Sequence, residues 1–373
     1  MDYSVYYPMI YTKGIHMSLM QRLIKNSTIK ETDILADSKF FHKKDMITTM
    51  IPAINLALSG SISGGLTPGL LVLAGPSKHF KTSFSLIMAK AYLDKYPESV
   101  LLFYDSEFGT PQSYFKSAGI PLDRVVHTPI TDLEQFKFDL MSQMGELQRA
   151  DKIVIVVDSI GNLASKKEVE DALKQNSAAD MTRAKQMKSV FRMVTPHLTM
   201  KDIPMIVVNH VYMEQGMFPK AIVSGGTGVM YSANTVFIIG RQQEKDGTEV
   251  IGYNFVINVE KSRFVKEKSK IPIEVTYEGG VSRWGGLLDL ALESSHVIKP
   301  KNGWYQKINT ETGEYGEKSY RLKDTYTSDF WLPLLKCPKF NTFVENKYRL
   351  PESALMQKED SVDQLMDSVE DDE

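Results

Sequence analysis

An α/β fold, built on a mostly parallel central sheet with helices on both faces and an antiparallel extension, is what this sequence predicts. Three observations predict it. Near-continuous apolar runs alternate with segments of helical period, the pattern of strands buried on both faces. One such run, 70–74, leads into Gly75-Pro-Ser-Lys-His-Phe-Lys-Thr82 and then into a helix-period segment. The later apolar runs follow one another too closely for intervening helices, which argues antiparallel pairing.

The elements follow in order. Residues 17–58 read as a short helix, a polar connector with an extended piece and a second helix, together a small N-terminal lobe. Strands are expected at 70–74, 100–104, 152–157, 205–209, 235–239, 253–259 and 271–276. Apolar residues at three- and four-residue intervals predict helices over 132–150 and 181–198. The core is expected over 59–285. After Gly285-Gly286 a helix opens a C-terminal α/β lobe, 286–350. Residues 1–16, with four tyrosines and little period, form an extension of uncertain origin. Residues 351–373 read as a disordered acidic tail.

Composition is that of an ordinary soluble globular chain, with 42% hydrophobic and 24% charged residues. Net charge is −2, yet 359–373 hold eight acidic residues and no Lys or Arg, so the rest of the chain carries about +6. A mildly basic body with an acidic tail fits a protein that handles a polyanion under self-restraint; a merely solvated tail is the plainer reading. One cysteine, Cys337, excludes an internal disulfide and a cysteine-rich zinc site. No signal segment and no apolar stretch of membrane-spanning length is seen, so a cytoplasmic protein without membrane contact is expected.

The segment 75–82 has the layout of a phosphate-binding P-loop, in which backbone N–H groups and a helix N-terminus cradle phosphates. Lys81 can place a charge on the β- and γ-phosphates, and the Thr82 hydroxyl can ligate Mg²⁺. Phe80 stands where the pattern has glycine, and an ordinary negative φ is expected there. The run Lys152-Ile-Val-Ile-Val-Val-Asp158 has the form of a Walker B strand, whose carboxylate holds the metal through water; an acid after an apolar run also caps helices in many proteins. Leu101-Leu-Phe-Tyr-Asp105-Ser-Glu107 places Glu107 just past a sheet edge. There it can orient or deprotonate an attacking water, or merely cap the next helix. Tyr114 can cover an adenine or pack as a helix-face aromatic. His210, after the run 205–209, can touch a γ-phosphate or be a plain loop histidine.

The segment from Tyr212 to Tyr231, with Lys220 and Ser224-Gly-Gly-Thr-Gly228, is long and permissive, as functional or disordered loops are. Lys166, Lys167, Arg183, Lys185, Lys188 and Arg192 make basic faces that are either solvated or track a nucleic-acid backbone. Lys261 and Arg263 lie at the end of a strand, far from the P-loop in sequence.

Together these motifs resemble the RecA/Rad51 recombinase family, and within it the recombinases of T-even phages. The likeness spans about 17–348. It is carried by Gly75-Pro-Ser-Lys-x-Phe-Lys, Leu102-Phe-Tyr-Asp-Ser-Glu-Phe-Gly109, Asp158-Ser-x-Gly-Asn-Leu-Ala-Ser-Lys-Lys-Glu168 and Asp180-Met-Thr-Arg-Ala-Lys185. Gly225-Gly-Thr-Gly228, Val259-Glu-Lys-Ser-Arg263 and Lys299-Pro-Lys-Asn-Gly-Trp-Tyr305 complete it.

The resemblance implies a RecA-type P-loop ATPase core, with ATP and Mg²⁺ as cofactors and an N-terminal lobe that docks on the neighbouring subunit. Gly75, Pro76, Ser77, Lys78, His79, Phe80, Lys81, Thr82, Ser83 and Tyr114 would bind ATP, with Thr82 and Asp158 on the metal. Glu107 would be the catalytic carboxylate. His210 would sense the γ-phosphate, in the place where bacterial members carry glutamine. Lys261 and Arg263 would act on a neighbour's ATP. The stretches from Ile160 to about Thr182 and from Tyr212 to Val229 would be mobile DNA-binding loops, with Lys166, Lys167, Arg183, Lys220, Gly225, Gly226, Thr227 and Gly228 on DNA.

Implied partners are single- and double-stranded DNA, further copies of the chain in a helical filament, and phage mediator and single-strand DNA-binding proteins. A hexameric helicase with the same core is the alternative; an accessory protein with a decayed ATPase is a third. The charge distribution makes a test: deleting 359–373 is expected to tighten single-strand DNA binding, most at low salt. Unchanged affinity there would leave the tail a solubiliser.

Overall fold

In the computed structural model the chain forms two compact units, 1–44 and 45–373. The structure describes residues 18–38, 45–174, 182–214, 216 and 220–351. The extension 1–16, the acidic tail and part of each expected DNA loop therefore lie outside the described residues.

Within the first unit, α1 (Leu19–Asn26) begins at a capping box in which the Ser18 hydroxyl accepts from Gln21 N and the Gln21 side chain accepts from Ser18 N. Leu19, Met20 and Leu23 are exposed along it.

The second unit opens with α2 (Pro52–Ser59). Pro52 stands at its first turn, and Gly60, at φ 73°, ends it in the left-handed region that glycine adopts without strain. All eight of its residues are buried. The expected N-terminal lobe, 17–58, thus reaches past the first unit: residues 45–58 fall in the second, where a helix buried all round is core.

There follow β1 (Gly69–Ala74), α3 (Lys81–Lys95), β2 (Val100–Asp105), α4 (Gln112–Ser117), β3 (Val125–Pro129) and α5 (Leu133–Glu146). Next come β4 (Ile153–Asp158), α6 (Lys166–Leu173), α7 (Thr182–Met200), β5 (Pro204–Asn209), the short pair β6 (Val211–Met213) and β7 (Ala221–Val223), and α8 (Thr227–Ser232). The strands β8 (Thr235–Asp246), β9 (Glu249–Lys261), β10 (Lys270–Thr276) and β11 (Gly280–Val281) complete the main sheet, in the order β11-β10-β9-β8-β1-β5-β4-β2-β3. Pairing is parallel from β8 through β1 to β3 and antiparallel from β8 to β11. That is the predicted sheet and its extension.

The strand alternation explains the continuous apolar runs. Leu71, Leu73, Leu101, Phe103, Val154 and Val156 face one core with Phe84, Leu86 and Met88 of α3. Leu70, Val72, Leu102, Tyr104, Ile155 and Val157 face the other, with α5 and α7. A strand covered on both sides has no polar face to show.

Several strands depart from the expectations. β3 was not foreseen: it is the edge strand, and its residues are half-buried or exposed, so it lacks an apolar run. β8 and β9 run well past 239 and begin well before 253, as a polar hairpin turning at Asp246-Gly247, with Gly247 at φ 59°. The Asp-Gly pair was the available signal for that turn.

The C-terminal part carries α9 (Leu287–Glu293), an antiparallel sheet of β12 (Val297–Lys301), β13 (Trp304–Lys307) and β14 (Tyr320–Arg321), then α10 (Ser328–Lys336) and α11 (Pro338–Tyr348). Phe330, Trp331 and Phe340 belong to the same contiguous core as α2 and α3. Among the described residues, no helix is long and apolar enough to cross a membrane.

Candidate nucleotide site

Register decides where the site lies. Ala74 pairs with Asn209, and Asp105 with Asp158. The ends of β1, β5, β4 and β2 therefore align, and the loops leaving them emerge at one sheet edge, where α/β folds bind ligands. A cleft of about 620 Å³ opens there. It is lined by the loop residues 77–83, Glu107, Tyr114, Asp158 and His210, and by Arg241, Tyr253, Phe255 and Tyr277 from the hairpin side.

The loop carries two non-glycine residues in the left-handed region, Lys78 and Phe80, both at φ 60°. The expectation of a negative φ at Phe80 is corrected. A left-handed non-glycine residue costs about 1–2 kcal/mol. The Phe80 ring meets Phe255 at 5.2 Å and Phe84 at 5.7 Å between centroids, and such pairs contribute about 0.5–1.5 kcal/mol each beyond burial. Phe84 and Phe255 are themselves buried and in edge contact. The ring cluster thus offsets the backbone cost, and a side chain serves where glycine is usual. Arg241, stacked at 4.6 Å on Tyr253, donates to the Lys78 carbonyl at 3.2 Å and ties the loop to the hairpin.

Lys81 is buried, and its ammonium donates to the carbonyls of Gly75 (3.0 Å) and Pro76 (2.8 Å). Burial lowers its pKa. The Thr82 hydroxyl donates to Asp158 Oδ2 at 2.7 Å. This hydroxyl–carboxylate pair beside the loop lysine fits a Mg²⁺ held mainly by phosphate oxygens. Among the described residues, no group of three His, Cys, Asp or Glu side chains is placed to cage a metal alone.

Asp158 is buried, and desolvation pushes its pKa up to about 6, against the Thr82 hydrogen bond that lowers it.

Glu107 Oε1 accepts from the Ser159 hydroxyl, from Asn162 Nδ2 at 2.9 Å and from His210 Nε2 at 3.1 Å. The His210 bond, followed by that from Ser159, holds its pKa below the usual carboxylate range despite partial burial. Asp105 fixes the Glu107 loop by accepting from Glu107 N (3.1 Å) and Phe108 N (2.7 Å).

The structure gathers 77–83, Glu107, Tyr114, Asp158 and His210 in one place. Tyr114 stands half-exposed at the mouth of the cleft. Lys261 and Arg263 lie elsewhere: Lys261 donates to the carbonyls of Met230 (2.7 Å) and Tyr231 (3.2 Å), and Arg263 is exposed.

Of the DNA-binding candidates, Lys166 and Lys167 open α6 with exposed side chains, and Lys220 is exposed ahead of β7. Gly225 and Gly226 have positive φ. Gly228 lets α8 approach α7, since a Cβ there would lie 2.7 Å from that of Lys188. The side chain of Thr227 is outside the described ones. Arg183 turns onto the carbonyls of Gly161 (2.6 Å) and Leu163 (2.8 Å).

Sequence reasoning missed Arg241, Tyr253, Phe255 and Tyr277, which come from the polar hairpin and its neighbour strand, and the Ser159 and Asn162 donors. Only the alternation of β9, placing 253 and 255 on one face, marked any of them.

Two outcomes are expected. Phe80→Gly removes the backbone cost along with the ring, whereas Phe80→Ala removes only the ring. The Ala variant should therefore raise KM for ATP more than the Gly variant, with both active; a dead Gly variant would show that the ring itself is required. For Asp158, the raised pKa means the carboxyl favours the folded chain below about pH 4 and ceases to do so as pH rises through about 6. At pH 7.5 without Mg²⁺, Asp158→Asn should raise Tm, by an energy on the order of 2–3 kcal/mol; a fall in Tm would contradict the burial argument.

Comparison with known proteins extends this geometry to a family. The RecA N-terminal domain family matches residues 21–282, and the family described as "Bacteriophage T4, Recombination and repair protein, C-terminal domain" matches 284–344. The chain is 54% identical over 336 residues to the "Recombination and repair protein" of Enterobacteria phage T4, covering 89% of this chain and 86% of that one. It is 26% identical over 314 residues to "Protein RecA" of Chloroherpeton thalassium, covering 79% and 85%. To "Protein RecA" of Leifsonia xyli subsp. xyli it is 24% identical over 309 residues, covering 81% and 80%. With both family matches in sequence along one chain, and a relative identical at more than half of the aligned residues, this protein belongs to the RecA family, in the branch that includes the phage T4 recombination and repair protein.

Proposed function

We propose that this protein is an ATP-dependent DNA recombinase, which assembles on single-stranded DNA and catalyses homologous pairing and strand exchange in phage recombination, repair and recombination-dependent replication. The observation that carries the reading is the convergence on Glu107. One carboxylate oxygen takes a donor from Asn162, at the start of the first loop, and another from His210, at the start of the second. Both loops thereby reach the cleft that holds Lys81, Thr82 and Asp158.

In this reading ATP lies on 75–83 with Tyr114 against its base. Lys81 neutralises the β- and γ-phosphates, and Glu107 orients or deprotonates the attacking water. Thr82 and Asp158 would hold Mg²⁺, which would supply positive charge to neutralise the phosphates. His210 senses the γ-phosphate. Lys261 and Arg263, distant from their own chain's cleft, serve the ATP of the adjacent subunit. The exposed Leu19, Met20 and Leu23 of α1 support the N-terminal lobe as the part that docks on a neighbour.

DNA lies on the two loops, through Lys166, Lys167, Arg183, Lys220 and the glycine-rich stretch that includes Thr227. Backbone contacts suffice, because pairing between strands supplies the sequence specificity. Hydrolysis is stimulated by DNA and weakens the subunit interface. Phage mediator and single-strand DNA-binding proteins are expected partners, and the host cytoplasm is the expected place of action.

The helicase reading loses its footing, because the relative that is 54% identical is a recombination and repair protein. The accessory-protein reading rested on Phe80, whose ring packing accounts for its presence in a working loop.

Glu107→Gln tests the catalytic role. ATP affinity should stay near that of the parent while DNA-stimulated turnover falls at least about 100-fold; normal turnover would refute the assignment. Electron microscopy with ATP and single-stranded DNA should show helical filaments, and closed rings alone would sink the reading.

A further inference from the structure

Among the described residues, the hydrogen bonds to the Glu107 carboxylate fall on one atom. Ser159, Asn162 and His210 each donate to Oε1, drawing the carboxylate toward the loops. Asn162 is exposed on the turn 161–163, so its side chain has no packing task. The turn that carries it is held by backbone bonds, Ile160 N to Val208 O at 3.0 Å and Leu163 N to Ile160 O at 3.4 Å, and by Arg183 from the first turn of α7. That guanidinium donates through Nη2 to Gly161 O at 2.6 Å and through Nε to Leu163 O at 2.8 Å, gripping the carbonyls on either side of Asn162.

The same turn abuts the second loop. A Cβ on Gly161 would lie 2.5 Å from His210 Cδ2 and 2.9 Å from Asn209 Oδ1, so only glycine permits this approach. One cation therefore clasps the turn that carries one of the three donors on Glu107.

Arginine binds phosphate oxygens in preference to backbone carbonyls, through charge-assisted and often bidentate bonds. A DNA phosphate arriving at the first loop would compete for Arg183 with Gly161 and Leu163. We propose that Arg183 and Asn162 are positioning residues forming a latch, in which Arg183 helps hold Asn162 on Glu107 until a single-strand phosphate withdraws the guanidinium and loosens the carboxylate's tie to the first loop. Loss of that donor leaves Oε1 to Ser159 and His210 alone and makes it easier for the side chain to turn toward the phosphate end of the cleft. The latch makes hydrolysis slow without DNA. It rests on the reading of Glu107 as the catalytic carboxylate.

The test is steady-state ATP hydrolysis by the full chain, with and without saturating single-stranded DNA, in Asn162→Ala, Arg183→Ala and the double variant. A hydrogen bond to a charged group corresponds to roughly a tenfold change in rate, so each single variant should raise DNA-free kcat by about that factor. KM for ATP should be unchanged, which also reports an intact fold, and Asn162→Ala should keep its DNA-saturated kcat. The double variant should be no faster than the singles, because both act through one contact. Asn162→Gln, which retains an amide donor, should restore slow DNA-free turnover.

DNA-free kcat at or below the parent value in Asn162→Ala, or multiplicative gains in the double variant, would overturn the latch. Glu107→Gln assayed in parallel separates the two claims. If it hydrolyses ATP normally, the catalytic reading fails. If it is inactive while Asn162→Ala keeps the parent's DNA-free rate, the latch alone fails.

Discussion

Parallel registration of β1, β5, β4 and β2 is the constraint on which everything else depends. It sets Ala74 beside Asn209 and Asp105 beside Asp158. A one-residue slip would turn each strand's apolar set to the opposite face, so two filled cores defend this alignment. The cores are not incidental to the chemistry, because they fix which loops share an edge. The phosphate loop, the carboxylate of β4, the Glu107 loop and the His210 turn meet there as a result.

At that edge the chain makes local concessions that the surroundings offset. Lys78 and Phe80 hold the phosphate loop in a left-handed conformation, secured by aromatic packing on Phe84 and Phe255 and by Arg241 on the Lys78 carbonyl. Asp158 is buried at the cost of a raised pKa, with Thr82 as its hydrogen-bond partner. Both features hold the loop and the β4 carboxylate in place at the sheet edge, the preorganisation that the proposed electrostatic catalysis would need.

Much of this was legible in the sequence, for physical reasons. Doubly covered strands must be apolar throughout, so 70–74, 152–157 and 205–209 announced themselves, and the chemistry-bearing residues stood directly after them. The edge strand over 125–129 gave no such run, since it is buried by a partner on one side only. The polar half of the β8–β9 hairpin concealed Arg241 and Tyr253 in the same way. Helix α2 looked like part of a separate lobe because burial depends on what packs against a segment. The φ of Phe80 was misjudged because the compensating ring, Phe255, lies 175 positions along the chain and meets it only in three dimensions. The bonds from Asn162 and His210 to Glu107 were equally invisible, being between segments joined by the sheet edge alone.

These features bring the starts of two loops onto one carboxylate in the lining of the cleft. In the function proposed above, ATP use and the joining of DNA strands are one process. Strand exchange between a circular single strand and a homologous linear duplex, followed with and without ATP, tests it most directly. The account predicts joint molecules with ATP and homologous DNA, and none when either is missing. Exchange that proceeds equally without ATP, or ATP-driven unwinding of duplex without regard to homology, would contradict it.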